Sequence, residues 1–140
     1  MIHIEVNRVN GDFGFEAEDA FGHKVRFDTS PQTGGENFGV RPMQTLLMAL
    51  GGCSGIDIVS ILKKQRQPIE GFRMVIEGER EQGKEATVWT DINIIFELKG
   101  KIEPEKAKRA CELSIDKYCS VAATLQRAGC QITWDVRIQD

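Results

Sequence analysis

The side chains in this sequence best suited to chemistry are its thiols. Cysteine occurs at Cys53, Cys111, Cys119 and Cys130, and histidine only at His3 and His23. A thiol attacks, or ligates a metal, as the thiolate, so its surroundings decide its use. No two cysteines stand in the close pairs that structural zinc sites use, so no metal is expected. His3 and His23 fall in an N-terminal β stretch, and no spacing brings either to a cysteine. Cys53 follows Gly51-Gly52 inside an apolar segment, about 16 Å from the start of a helix rising about 1.5 Å per residue. The helix dipole acts mainly within the first turn and does not reach it. Asp57, one turn on, disfavours a thiolate. On local grounds Cys53 reads as a small buried residue, and activation would have to come from a distant cation such as Arg8, Arg26 or Arg41. Cys119 precedes Ser120-Val121-Ala122-Ala123, at a break between two helical stretches. At an N-cap or first turn, unpaired backbone N–H groups would favour its thiolate, which makes it the more acidic thiol by this reasoning. A buried boundary residue is the competing reading. Cys111 lies on the apolar stripe of one helix, and Cys130 shares the parity of Ile132 and Trp134; both read as core.

The elements that must position these thiols follow from periodicity. Ile2, Ile4 and Val6 alternate with polar residues, as a half-buried strand does. Asn10-Gly11 is a strong hairpin signal. Phe13, Phe15 and Ala17, then Val25 and Phe27, continue an antiparallel meander. Residues 29–41 carry glycines, a proline and polar side chains and read as a long loop. Pro42 suits a helix start, and one helix is expected to about Arg66, ended by Pro68. Its apolar residues from Leu46 to Leu62 run nearly all round, so burial on several sides is expected. Gly51, Gly52 and Gly55 each cost about 1 kcal/mol relative to alanine inside it. Close approach of another backbone, from the helix at Pro104 or a second subunit, would compensate. Phe72–Ile76 and Val88–Leu98 read as strands, Glu103-Pro104 opens a helix, and Val121–Ala128 forms a shorter one stopped by Gly129. Ile132–Ile138 forms the last strand. The order β-β-β-α-β-β-α-α-β indicates an α+β protein with antiparallel sheets around a long buried helix.

Composition bounds the function classes. The 140 residues hold 18 basic and 21 acidic side chains, a net charge of −3. That size suits one domain, 1–140, able to fold without metal or disulfide. Slight acidity argues against nucleic acid as a partner. Thr45–Leu62 approaches membrane-spanning length but contains three glycines, Asp57 and Ser60, so no membrane partner is expected. Met1–Val9 alternates rather than forming an apolar signal core. A reducing cytoplasmic location is expected, with free thiols.

Arg41-Pro42-Met43-Gln44-Thr45-Leu46-Leu47-Met48-Ala49-Leu50-Gly51-Gly52-Cys53, continued by Ser54-Gly55-Ile56-Asp57, resembles the central helix of the OsmC/Ohr family. Those proteins are osmotically induced or confer organic-hydroperoxide resistance. Cys119-Ser120-Val121-Ala122 resembles the family's second cysteine motif. The resemblance spans essentially the whole chain and implies one OsmC-like domain and an intertwined homodimer. It gives Cys53 the role of attacking thiol and Cys119 that of resolving thiol. They would form a disulfide that an external dithiol resets, with no cofactor. Three features depart from the peroxidase pattern. Met43-Gln44 stands where those members have an activating glutamate. The hairpin turn Asn10-Gly11-Asp12 lacks their arginine, and Ser120 replaces the motif proline. The wording around Gly51-Gly52-Cys53 is closer to the OsmC-like branch. A thiol-dependent redox protein acting on organic hydroperoxides is expected. The alternative is a non-catalytic dimer that binds a small apolar ligand in the same interface cleft.

Overall fold

A computed structural model describes all residues, Met1–Asp140. The chain forms two compact units, Met1–Leu46 and Leu47–Asp140. The elements occur in the expected order and make an α+β protein with two three-stranded sheets.

The first unit is an antiparallel meander of β1 (Glu5–Asn10), β2 (Gly14–Glu18) and β3 (Lys24–Phe27). Gly11 turns the first hairpin at φ +59°, a region that favours glycine. Asp19 closes the second, accepting hydrogen bonds from the Phe21 and His23 backbone N–H groups at 2.9 Å. The long loop after β3 is organised around Asp28, which sequence reasoning did not single out. Its buried carboxylate accepts from the backbone N–H groups of Thr29 (2.8 Å), Glu36 (2.8 Å) and Phe38 (3.1 Å). These bonds, those from Glu36 and Phe38 foremost, hold its pKa below the ordinary value. Within the loop, Pro31–Thr33 form a 3-10 turn. The expected half-burial of the N-terminal strand is not met within one chain: Ile2 and Ile4 precede β1, and both they and Val6 are exposed.

Helix α1 runs from Pro42 to Lys64. It ends in a Schellman motif, with Arg66 N–H to Lys63 C=O and Gln67 N–H to Leu62 C=O. Arg66 holds the left-handed position, at φ +57°, that glycine usually fills. In the second unit β4 (Gly71–Arg80) pairs antiparallel with β5 (Trp89–Lys99). β6 (Gln131–Gln139) pairs parallel with β5, so this sheet is mixed rather than antiparallel as expected. The reason is the intervening crossover, because parallel neighbours need a long return connection. It consists of α2 (Pro104–Leu113), a π-helical turn (Ser114–Tyr118) and α3 (Ser120–Arg127). Leu50, Ile58 and Leu62 of α1, Ile92, Ile94, Phe96 and Leu98 of β5, and Ala107, Ala110 and Cys111 of α2 are buried.

Within one chain only the α1 stripe Leu50, Gly51, Ser54, Gly55, Ile58 and Leu62 is buried, while Met48, Ile56 and Val59 stand exposed. For Gly51 and Gly55 the close neighbour within the chain is a strand rather than the helix at Pro104. A Cβ at Gly51 would lie 2.9 Å from Ile76 Cδ1, and one at Gly55 3.0 Å from Met74 Cε, both on β4. Gly52 faces open space.

Candidate functional site

The second unit brings Cys53 and Cys119 together. Cys53 sits mid-helix on α1, beside the buried stripe and partly exposed. Cys119 is the N-cap of α3 and is 2% exposed. The sulfurs and an Asp57 carboxylate oxygen all lie within 4.8 Å of one another.

The π turn makes this meeting. Its wider i→i−5 bond, Cys119 N–H to Ser114 C=O at 2.8 Å, inserts an extra residue before α3 begins. Cys119 then leaves the helical region at φ −75°, ψ 106°, and its sulfur accepts the Ala122 N–H at 3.4 Å. At the start of the same turn, the fully buried Ser114 hydroxyl donates to Asp57 Oδ2 at 3.0 Å. It also lies 3.4 Å from the Ser54 carbonyl oxygen. One turn thus supplies a sulfur and a hydroxyl, and one face of α1 supplies a sulfur and a carboxylate.

The N-cap position of Cys119 is as expected, but its greater acidity is not. Burial is the largest influence and pushes the thiol up to about 11, with the adjacent Cys53 thiol adding to the rise. The Ala122 and Val121 N–H groups oppose this and are outweighed. Desolvation penalises the charged form more than two weak N–H···S contacts favour it. Cys111 and Cys130 are core residues, as their parity indicates, and burial is the main cause raising both thiols, Cys111 to about 12.

A cleft of about 460 Å³ opens beside the site, lined in part by Asp57, Ile61, Lys64, Leu113 and Tyr118. Two of the arginines considered as activating cations have partners within the first unit. Arg26 pairs with Glu16 and lies over the Phe38 ring. Arg41 donates to the Gly39 carbonyl at 3.0 Å. Ser114 was not singled out from the sequence; the one local signal is a serine on the same face as Ala107, Ala110, Cys111 and Ile115, all buried.

A two-thiol site at the junction of a central helix and a broken helical crossover, on this α+β frame, defines the class. The chain belongs to the OsmC-like protein family, whose profile it matches over residues 33–135. It is similar to Protein YhfA of Escherichia coli strain K12, with 37% identity over 115 residues, 81% of this chain and 82% of that one. A hypothetical protein from Aquifex aeolicus VF5 has the same fold, with a TM-score of 0.82 and 29% identity over 100% of this chain and 98% of that one. The organic hydroperoxide resistance protein OsmC from Legionella pneumophila shares the fold at a TM-score of 0.73 and 14% identity, over 97% of this chain and 96% of that one.

Proposed function

We propose that this protein is a thiol-dependent redox protein that reduces organic hydroperoxides with Cys53 and Cys119. The observation that carries the reading is the meeting of a partly exposed and a buried thiol within 4.8 Å. The Cys53 thiol attacks the terminal peroxide oxygen; the O–O bond breaks, the alcohol leaves with a proton, and Cys53 becomes a sulfenic acid. The Cys119 thiol then attacks that sulfur, forming the disulfide and expelling water. Two electrons leave the two thiols and reduce the peroxide. An external dithiol returns them. The asymmetry suits the roles, since the attacking sulfur needs access and the resolving one needs only its neighbour. The cleft that shares Asp57 with the site leaves room for an organic substrate, whose alkyl group would meet Ile61, Leu113 and Tyr118 beside the polar Ser60, Lys64 and Gln65.

The working form in this reading is a cytoplasmic homodimer of single-domain subunits. The exposed apolar residues of α1 and of the meander support a partner chain. The test is turnover of cumene hydroperoxide with a dithiol reductant. The Cys53→Ser variant should lose turnover, and Cys119→Ser should stall after one equivalent as a sulfenic acid. No consumption by the wild type, with a raised melting temperature in the presence of apolar ligands, would favour the binding-protein alternative.

A further inference from the structure

The paired thiols have a third neighbour that the redox reading leaves without a task. Asp57 offers a carboxylate oxygen within 4.8 Å of both sulfurs. We infer that reduced Cys53 and Cys119, with Asp57, form a binding site for a thiophilic divalent cation of the zinc class.

Three observations support the site. First, the donor set is right: two thiolates and a carboxylate are ligands zinc takes, and three protein ligands leave a fourth position for water. Second, the spacing is close. Ligand atoms around a tetrahedral zinc with bonds of about 2.0–2.3 Å stand about 3.3–3.8 Å apart, so contraction by at most about 1.5 Å assembles the site. The side chains that would move are those of Cys53 and Asp57, both partly exposed. Third, an outer partner is built in. The Ser114 hydroxyl, itself fully buried, donates to Asp57 Oδ2 and orients the carboxylate, as outer partners of metal-ligating carboxylates do. The Ala122 N–H holds the Cys119 sulfur in the same way. The lack of close cysteine pairs in the sequence does not reveal this arrangement. Its sulfurs are far apart in the chain, and its third ligand is one helical turn from the first.

Metal and disulfide draw on the same sulfurs and exclude each other. An organic hydroperoxide that oxidises the loaded pair would take two electrons from the two thiolates and two protons from solvent. The products would be the disulfide, an alcohol, water and the free cation. Only this consequence rests on the redox reading; binding by the reduced pair does not.

The experiment titrates reduced, chelator-treated full-length protein with Cd²⁺ alone and follows the thiolate-to-cadmium charge-transfer band, then displaces Cd²⁺ with Zn²⁺. The wild type should bind one ion per chain through two thiolates. The Cys119→Ser variant should lose the two-thiolate band while remaining folded, since serine is itself a good N-cap. Asp57→Asn should weaken binding, and Ser114→Ala should weaken it about 10–100-fold. A folded Cys111→Ala, Cys130→Ala double variant should bind as the wild type does; loss of the band in it would overturn the site. Absence of the band in folded wild type, its persistence in Cys119→Ser, or wild-type affinity in Asp57→Asn would each overturn the site. Failure of peroxide turnover would leave these readouts unchanged, so the two readings fail separately.

Discussion

At the scale of the residue, Cys53 and Cys119 share a site but not an environment. The N–H groups at the start of α3 favour a Cys119 thiolate, yet burial outweighs them and the thiol rises to about 11. Burial thus disfavours the Cys119 thiolate, which suits the proposed role of a resolving thiol that acts through proximity to an oxidised Cys53. Brief alkylation of the reduced, metal-free protein at pH 8 should modify Cys53 first and Cys119 much more slowly. Cys111 and Cys130 should react only on unfolding. Peptide mass mapping reads the order, and Cys119 reacting first would contradict it. The sequence carried the two sulfurs and the cap but not the sign of the balance. N–H groups are local and legible, whereas burial depends on α1, which is distant in the chain. Asp57 was read only as a repulsive neighbour, because its tie to Ser114 joins positions that no local pattern connects.

At the scale of the element, the clearest test is the loop after β3. Asp28 holds Glu36, Phe38 and Thr29 by their backbone N–H groups, and these bonds keep its carboxyl below the ordinary carboxylate range. A carboxyl lowered on folding contributes stability above its unfolded pKa and loses it as pH falls through the folded value. Asp28→Asn should therefore lower the melting temperature at pH 7. The gap from wild type should shrink as pH falls below about 4. A gap that is constant down to pH 2 would contradict this role. At the end of α1, Arg66 occupies a left-handed position that costs a non-glycine residue about 1–2 kcal/mol. Arg66→Gly should raise stability by up to about 1 kcal/mol in urea denaturation, after the extra freedom of an unfolded glycine is offset. The order of elements, the hairpin at Gly11 and the stop at Gly129 were legible because turn glycines and hydrophobic periods are local signals. The parallel seating of β6 was not, since the same alternation of Ile132, Trp134, Val136 and Ile138 serves either strand direction. The glycines of α1 announced a close neighbour without naming it; Ile76 and Met74 of β4 fill that place.

At the scale of the whole molecule, the exposed apolar surface is the feature a partner must answer. Ile56 is 73% exposed on α1, and a Cβ at Gly52, one turn before it, would point into open space. In a monomer, Ile56→Arg would change stability by less than about 0.5 kcal/mol, as surface substitutions generally do. In the proposed dimer it should shift the sedimentation coefficient toward that of a single 15.7 kDa chain. A wild type that already sediments as a folded monomer would contradict the dimer.

The central claim is that Cys53 and Cys119 act as one redox pair, and a single oxidation tests it most directly. Reduced, chelator-treated protein receives one equivalent of cumene hydroperoxide per chain and is digested without reductant. The account predicts loss of two thiols per chain, a cross-linked peptide joining Cys53 to Cys119, and full recovery with a dithiol. Four thiols remaining free, or a bridge between Cys111 and Cys130, would contradict it.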